Sequence, residues 1–127
     1  MRFEHVAINV PDARAVAAWY VENLGLIIVR SVEGAPHTRF LADESGRTVL
    51  EVYSNTAAPF PDYARQHWLV LHLAFVSSDV DADCARLKQA GATLATIDDL
   101  ADGSRLIMMR DPWGVCLQLC RRTRPMP

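Results

Sequence analysis

Apolar and polar residues alternate from Phe3 to Val10. Val6, Ile8 and Val10 fall on one face and His5, Ala7 and Asn9 on the other, the period-two pattern of a half-buried strand. Pro11 and Asp12 end this run, and Asp12 has the side chain of a helix N-cap. Val16, Tyr20 and Leu24 then recur at helical spacing, and Gly25 stands where a helix-ending glycine belongs. Leu26 to Val32, Thr38 to Ala42 and Thr48 to Tyr53 read as three further strands. The turn Asp43-Glu44-Ser45-Gly46 separates the last two.

The same order then recurs. Leu69 to Val76 predicts a strand, Asp79 a cap, and Val80, Cys84 and Leu87 a helix stripe closed by Gly91. Strands follow at Thr93 to Ile97, Arg105 to Arg110 and Val115 to Arg121, with turns at Asp102-Gly103 and Asp111-Pro112-Trp113-Gly114. Each half is a βαβββ module. The first covers residues 1–53, a linker 54–68, the second module 69–121 and a tail 122–127. Neither module is large enough to fold well alone. The pattern therefore predicts one α+β domain, two βαβββ modules forming curved mixed sheets around a shared cleft.

Shifting the chain against itself by 67 positions lays His5 on His72 and Glu51 on Gln118. All four stand where an apolar residue would serve a strand better. Glu51, for instance, lies between Leu50 and Val52, and a buried carboxylate there costs several kcal/mol unless paired or bound to a cation. Two imidazoles, a carboxylate and an amide form a mixed N/O donor set. That set suits Zn, Ni, Co, Mn or Fe as a divalent ion with water in the open positions, an arrangement for catalysis rather than structure. The competing reading is a pair of hydrogen-bonded strand histidines and a glutamate facing solvent.

Composition narrows the alternatives. The 127 residues carry a net charge of −2, which gives no footing for a nucleic-acid partner. Arg121, Arg122 and Arg124 read as a solvated, Pro-containing tail. No apolar run reaches the ~18 residues of a membrane span and the N-terminus opens in strand-like sequence, so neither a membrane partner nor a signal peptide is expected. The expected address is the cytoplasm. Cys84, Cys116 and Cys120 lack a metal-binding spacing and read as small apolar fillers.

Two stretches carry a family resemblance. His5 followed by Asn9-Val10-Pro11-Asp12, Trp19-Tyr20 and Asn23-Leu24-Gly25-Leu26 resembles the opening of the vicinal oxygen chelate superfamily. Asp111-Pro112-Trp113-Gly114 with Gln118-Leu119 resembles its closing motif. That superfamily includes glyoxalase I, extradiol dioxygenases and bleomycin-resistance proteins. The resemblance implies a paired βαβββ fold, often a homodimer, and a divalent metal at the places of His5, Glu51, His72 and Gln118. It also implies a small-molecule substrate whose oxygens the metal chelates, stabilising an enolate-like anion in an isomerase or lyase reaction. Gln118 departs from the glutamate that glyoxalase I and the dioxygenases carry there. An amide accepts no proton, so Glu51 becomes the candidate catalytic base. Asn9 stands where glutathione-using relatives tend to carry Arg, whereas Asn55 matches their Asn. The alternatives are a metal-free drug-binding protein of the bleomycin-resistance kind and an extradiol-type dioxygenase.

A few other residues invite a role. Phe60, Tyr63, His67 and Trp68 read as linker aromatics packed onto the sheets, with Trp68 as a candidate cover for a pocket. Arg39 reads as a solvated edge-strand charge, with capture of a carboxylate as the alternative.

Overall fold

The computed structural model describes residues 1–126. Two compact units divide the chain, Met1–Pro61 and Asp62 onward. In the first, β1 (Val6–Asn9), α1 (Ala13–Leu24), β2 (Ile27–Ser31), β3 (Arg39–Ala42) and β4 (Thr48–Tyr53) follow one another. They form a mixed sheet of order β1-β4-β3-β2, with β1 parallel to β4 and the other pairs antiparallel. In the second unit, β5 (Leu73–Val76), α2 (Val80–Gln89), β6 (Thr93–Asp99), β7 (Arg105–Arg110) and β8 (Cys116–Arg121) repeat the pattern in the order β5-β8-β7-β6. The architecture is α+β, two helices on two four-stranded mixed sheets.

The helices form where the caps dictate. Asp12 and Asp79 each accept from the backbone N–H three residues on, at 3.0 Å, satisfying a donor the helix leaves orphaned. Gly25 ends α1 at φ 71, where its N–H returns to the carbonyl of Tyr20. Val16, Ala17 and Tyr20 are fully buried together with Ile8, Leu41 and Val52, so α1 covers one face of its sheet. Val80 and Leu87 of α2 do the same beside Ile107, Met109 and Leu117.

The repeat extends to hydrogen-bond register. Val6 pairs with Leu50 and Leu73 with Leu117, each partner displaced by the same 67 residues. The hairpin turns differ by 68 instead: Asp43 accepts from the Gly46 N–H, and Asp111 from that of Gly114. A bulge reconciles the two offsets. Pairing jumps from Leu41–Leu50 to Ala42–Thr48, which leaves Val49 as an extra residue on β4.

Two strands start later than their patterns predict, and β1 begins at Val6 rather than Phe3. β5 begins at Leu73 rather than Leu69, and residues 64–71 are mostly turns that leave Leu69 and Val70 exposed. The run Leu69 to Leu73 is apolar like a buried strand, but the bonds of its first residues go to His67 instead of a neighbouring strand.

The junction of β5 with α2 carries an acid-sensitive contact. The Ser77 hydroxyl donates to Asp83 at 2.6 Å and Arg86 donates to the same carboxylate at 2.9 Å. Together they hold the Asp83 carboxyl below its ordinary value of 3.8. A depressed carboxyl adds stability that is complete above the unfolded-state value and is lost as pH falls through the folded one. Asp83 is about one-third exposed, so the contribution is discounted to about 0.5 kcal/mol. Asp83→Asn should therefore cost about that much near pH 7, and the difference should shrink as pH drops below 3.8. Urea unfolding at both pH values checks this; an equal deficit at both would assign the loss to something other than the charge.

Candidate functional site

Side chains on a strand alternate between faces, so whatever faces away from α1 is fixed once Ile8, Leu50 and Val52 face towards it. That opposite face receives His5, Ala7, Phe40 and Glu51. Ala7 is paired with Glu51, and His5, two residues earlier, is its diagonal neighbour. The result is a contact: His5 Nε2 lies 3.1 Å from Glu51 Oε2, both side chains about one-quarter exposed or less.

These two residues line an open hollow of about 250 Å³ together with Glu4, Val29, Arg30, Phe40 and Thr48. The His5 ring meets Phe40 edge-on at 5.6 Å, and the Arg30 guanidinium lies over the same phenyl ring at 5.9 Å. The contact between His5 and Glu51 is electrostatic rather than a hydrogen bond. The other ring nitrogen, Nδ1, is 2.8 Å from Glu4 Oε2, close enough for electrostatic attraction. The angle there is not that of a hydrogen bond, so this buried atom is left without a hydrogen-bond partner.

The corresponding places of the second unit hold different chemistry. Ala74 is paired with Gln118, and His72 is one residue ahead of β5, so both occupy the register positions of Glu51 and His5. The Gln118 carbonyl oxygen accepts from the Cys120 thiol at 3.3 Å, and His72 Nδ1 lies 3.2 Å from the carbonyl of Trp68.

A divalent ion binds nitrogen and carboxylate oxygen at about 2.1 Å, which sets two ligands at right angles about 3 Å apart. His5 and Glu51 have that separation, so they fit as two adjacent ligands. A catalytic ion commonly takes three protein donors. Among the described residues no group of three His, Cys, Asp or Glu side chains converges, so His5 and Glu51 stand as a half-set.

Other residues of interest are committed elsewhere. Arg39 is neither a solvated edge charge nor a free carboxylate clamp. It is on an inner strand, buried, and donates to the carbonyls of Val32 at 2.9 Å and Thr38 at 3.1 Å and to Glu33 Oε2 at 3.2 Å. It shapes the loop between β2 and β3. Cys84, Cys116 and Cys120 are buried free thiols. Burial pushes Cys116 and Cys120 up, Arg110 opposing it at the former, so neither is a ready thiolate. Of the linker aromatics, Tyr63 is buried while the His67 and Trp68 rings stack at 4.2 Å. The pattern pointed to neither Arg30 nor Glu4, since a single charge in or beside a strand carries no spacing signal.

Comparison with known proteins agrees with this architecture. The profile of the Glyoxalase/Bleomycin resistance protein/Dioxygenase superfamily matches residues 2–119. No curated protein matched the chain. Among solved structures, a glyoxalase family protein from Enterococcus faecalis is 27% identical, with 94% of this chain and 97% of that one covered at a TM-score of 0.68. An antibiotic binding protein from Streptomyces sp. CB03234 is 22% identical over 97% of both chains, TM-score 0.70. A glyoxalase family protein from Bacillus cereus reaches TM-score 0.74 at 20% identity, covering 94% of this chain and 93% of its own. At such identities the last two speak for the fold alone.

Removing Arg39 tests how far the β2–β3 loop depends on its guanidinium. Arg39→Ala leaves buried carbonyls without a donor and should cost about 2 kcal/mol in chemical denaturation. A loss under about 0.5 kcal/mol would mean that water replaces the guanidinium freely and the loop holds itself.

Proposed function

Because the chain belongs to the glyoxalase, bleomycin resistance protein and dioxygenase superfamily, its hollow reads as a small-molecule site, and we propose that it serves a divalent-metal-dependent isomerase or lyase acting on a small oxygenated substrate. The proposed donors are His5, Glu51, His72 and Gln118, with Zn, Ni, Co, Mn or Fe as the ion and a homodimer as the assembly. The observation that carries this reading is the 3.1 Å separation of His5 Nε2 and Glu51 Oε2 on the floor of an open hollow. When bound, the ion would supply electrophilic stabilisation to a developing oxyanion of the substrate.

The chain's own residues supply the rest. Glu51 is the one donor of the four able to take a proton from carbon or hydroxyl as a carboxylate, since the Gln118 amide has no basic site. The edge of Phe40 restrains the His5 imidazole, whose Nε2 faces the carboxylate. Arg30 brings a positive charge to the same hollow, where a substrate turning anionic gains from it.

A metal-free drug-binding protein is the second reading, favoured by one specific feature. Two strong donors in the hollow are fewer than the three protein ligands a catalytic ion commonly takes. The antibiotic binding protein of similar fold gives that reading a precedent.

Calorimetric titration of chelator-treated protein with Zn²⁺, Ni²⁺, Co²⁺ and Mn²⁺ separates the two. Tight binding of one ion per chain is expected, and Glu51→Gln should weaken it about 10- to 100-fold while circular dichroism stays unchanged. Wild-type affinity in that variant would remove Glu51 from the site. Failure of the native protein to bind any of these ions, with tight uptake of a planar aromatic drug, would select the second reading.

A further inference from the structure

The turns ahead of β5 are fastened at one end to the β7–β8 hairpin and touch His72 at the other. Arg110, the last residue of β7, donates from Nη1 to the carbonyl of Tyr63 and from Nη2 to the carbonyl of Gln66, both at 2.7 Å. Its Nη1 also reaches the Gly114 carbonyl at 3.1 Å, so one planar guanidinium spans the turn and the hairpin. The backbones touch as well. Gly114 has φ +88, and a Cβ there would stand 2.5 Å from the amide nitrogen of Ala64. Beyond Gln66 the chain is held by its own short bonds, Leu69 N–H to His67 Nδ1 at 3.2 Å and Val70 N–H to the His67 carbonyl at 2.9 Å.

This path ends with the Trp68 carbonyl 3.2 Å from His72 Nδ1. A carbonyl oxygen only accepts, so the contact is a bond only if Nδ1 carries the hydrogen. A neutral imidazole has one N–H, which leaves Nε2 bare. That nitrogen has no partner among the described residues. A histidine free in water prefers the opposite tautomer, with hydrogen on Nε2, so the strap reverses the intrinsic preference.

We propose that Arg110 is a positioning residue: by clamping the 63–66 turn it sets the Trp68 carbonyl against His72 and selects the tautomer whose Nε2 is free to accept or ligate. The use of that nitrogen rests on His72 being a donor in the proposed function, whereas the tautomer is a property of the protein without metal. The two can therefore fail separately. His5, at the equivalent register position, instead has Nε2 towards Glu51 at 3.1 Å.

The test is long-range proton–nitrogen NMR on nitrogen-15-labelled, metal-free full-length protein, at a pH high enough that the imidazoles are neutral. Signals of His72 are assigned by their loss in His72→Gln. The expected pattern is a protonated Nδ1 and a bare Nε2, moving in Arg110→Met towards the Nε2–H form or an exchange average, with partial return in Arg110→Lys. Should Arg110→Met fail to fold, Gly114→Ala displaces the same turn from the other side and should produce the same shift. An Nε2–H tautomer in the native protein would overturn the proposal. So would an unchanged His72 in a folded Arg110→Met, or in Gly114→Ala where Arg110→Met does not fold. Metal titration of the native protein, read independently, decides the donor role.

Discussion

A strand buried on one face cannot slip by a single residue without turning its apolar set to water, and this constraint fixes the candidate site. Ile8, Leu50 and Val52 must all meet α1, so β1 and β4 have one acceptable parallel register. In that register Ala7 lies opposite Glu51 and His5 falls diagonally beside it. No separate device is needed to bring imidazole and carboxylate together. The apolar core does so from behind, and the small Ala7 leaves room above the sheet for the pair to meet. The bulge at Val49 protects this arrangement. It absorbs the length difference between the two hairpins before Glu51 is reached, so the acid keeps its register.

Much of this was legible in the sequence, and for a physical reason. Period-two and period-3.6 patterns report burial directly, which is why β4 and β7 have the limits that alternation predicts and why both aspartate caps act as caps. The 67-residue offset reports register because both copies bury the same face against a helix. Backbone partners are a different matter. Leu69 to Leu73 is apolar like a buried strand, yet its early N–H groups find His67, and an apolar run cannot tell a sheet partner from a local turn. Arg39 was misread for a related reason. Its charge suggested solvent, but carbonyls of a folded-back loop are invisible in a one-dimensional pattern. Arg110 gave no signal either, since its role lies in the carbonyls it meets.

The duplication supplies equivalent places without requiring equivalent chemistry. At the first-unit place an imidazole meets a carboxylate at 3.1 Å on one floor. At the second the acid's counterpart is a neutral amide engaged with a thiol, and the imidazole is turned by a backbone carbonyl. The Gln118 amide is engaged with Cys120, and the acceptor in contact with the His72 ring is the Trp68 carbonyl. A repeat of this kind fixes where a side chain stands and leaves its partners to the local chain, which differs between the units.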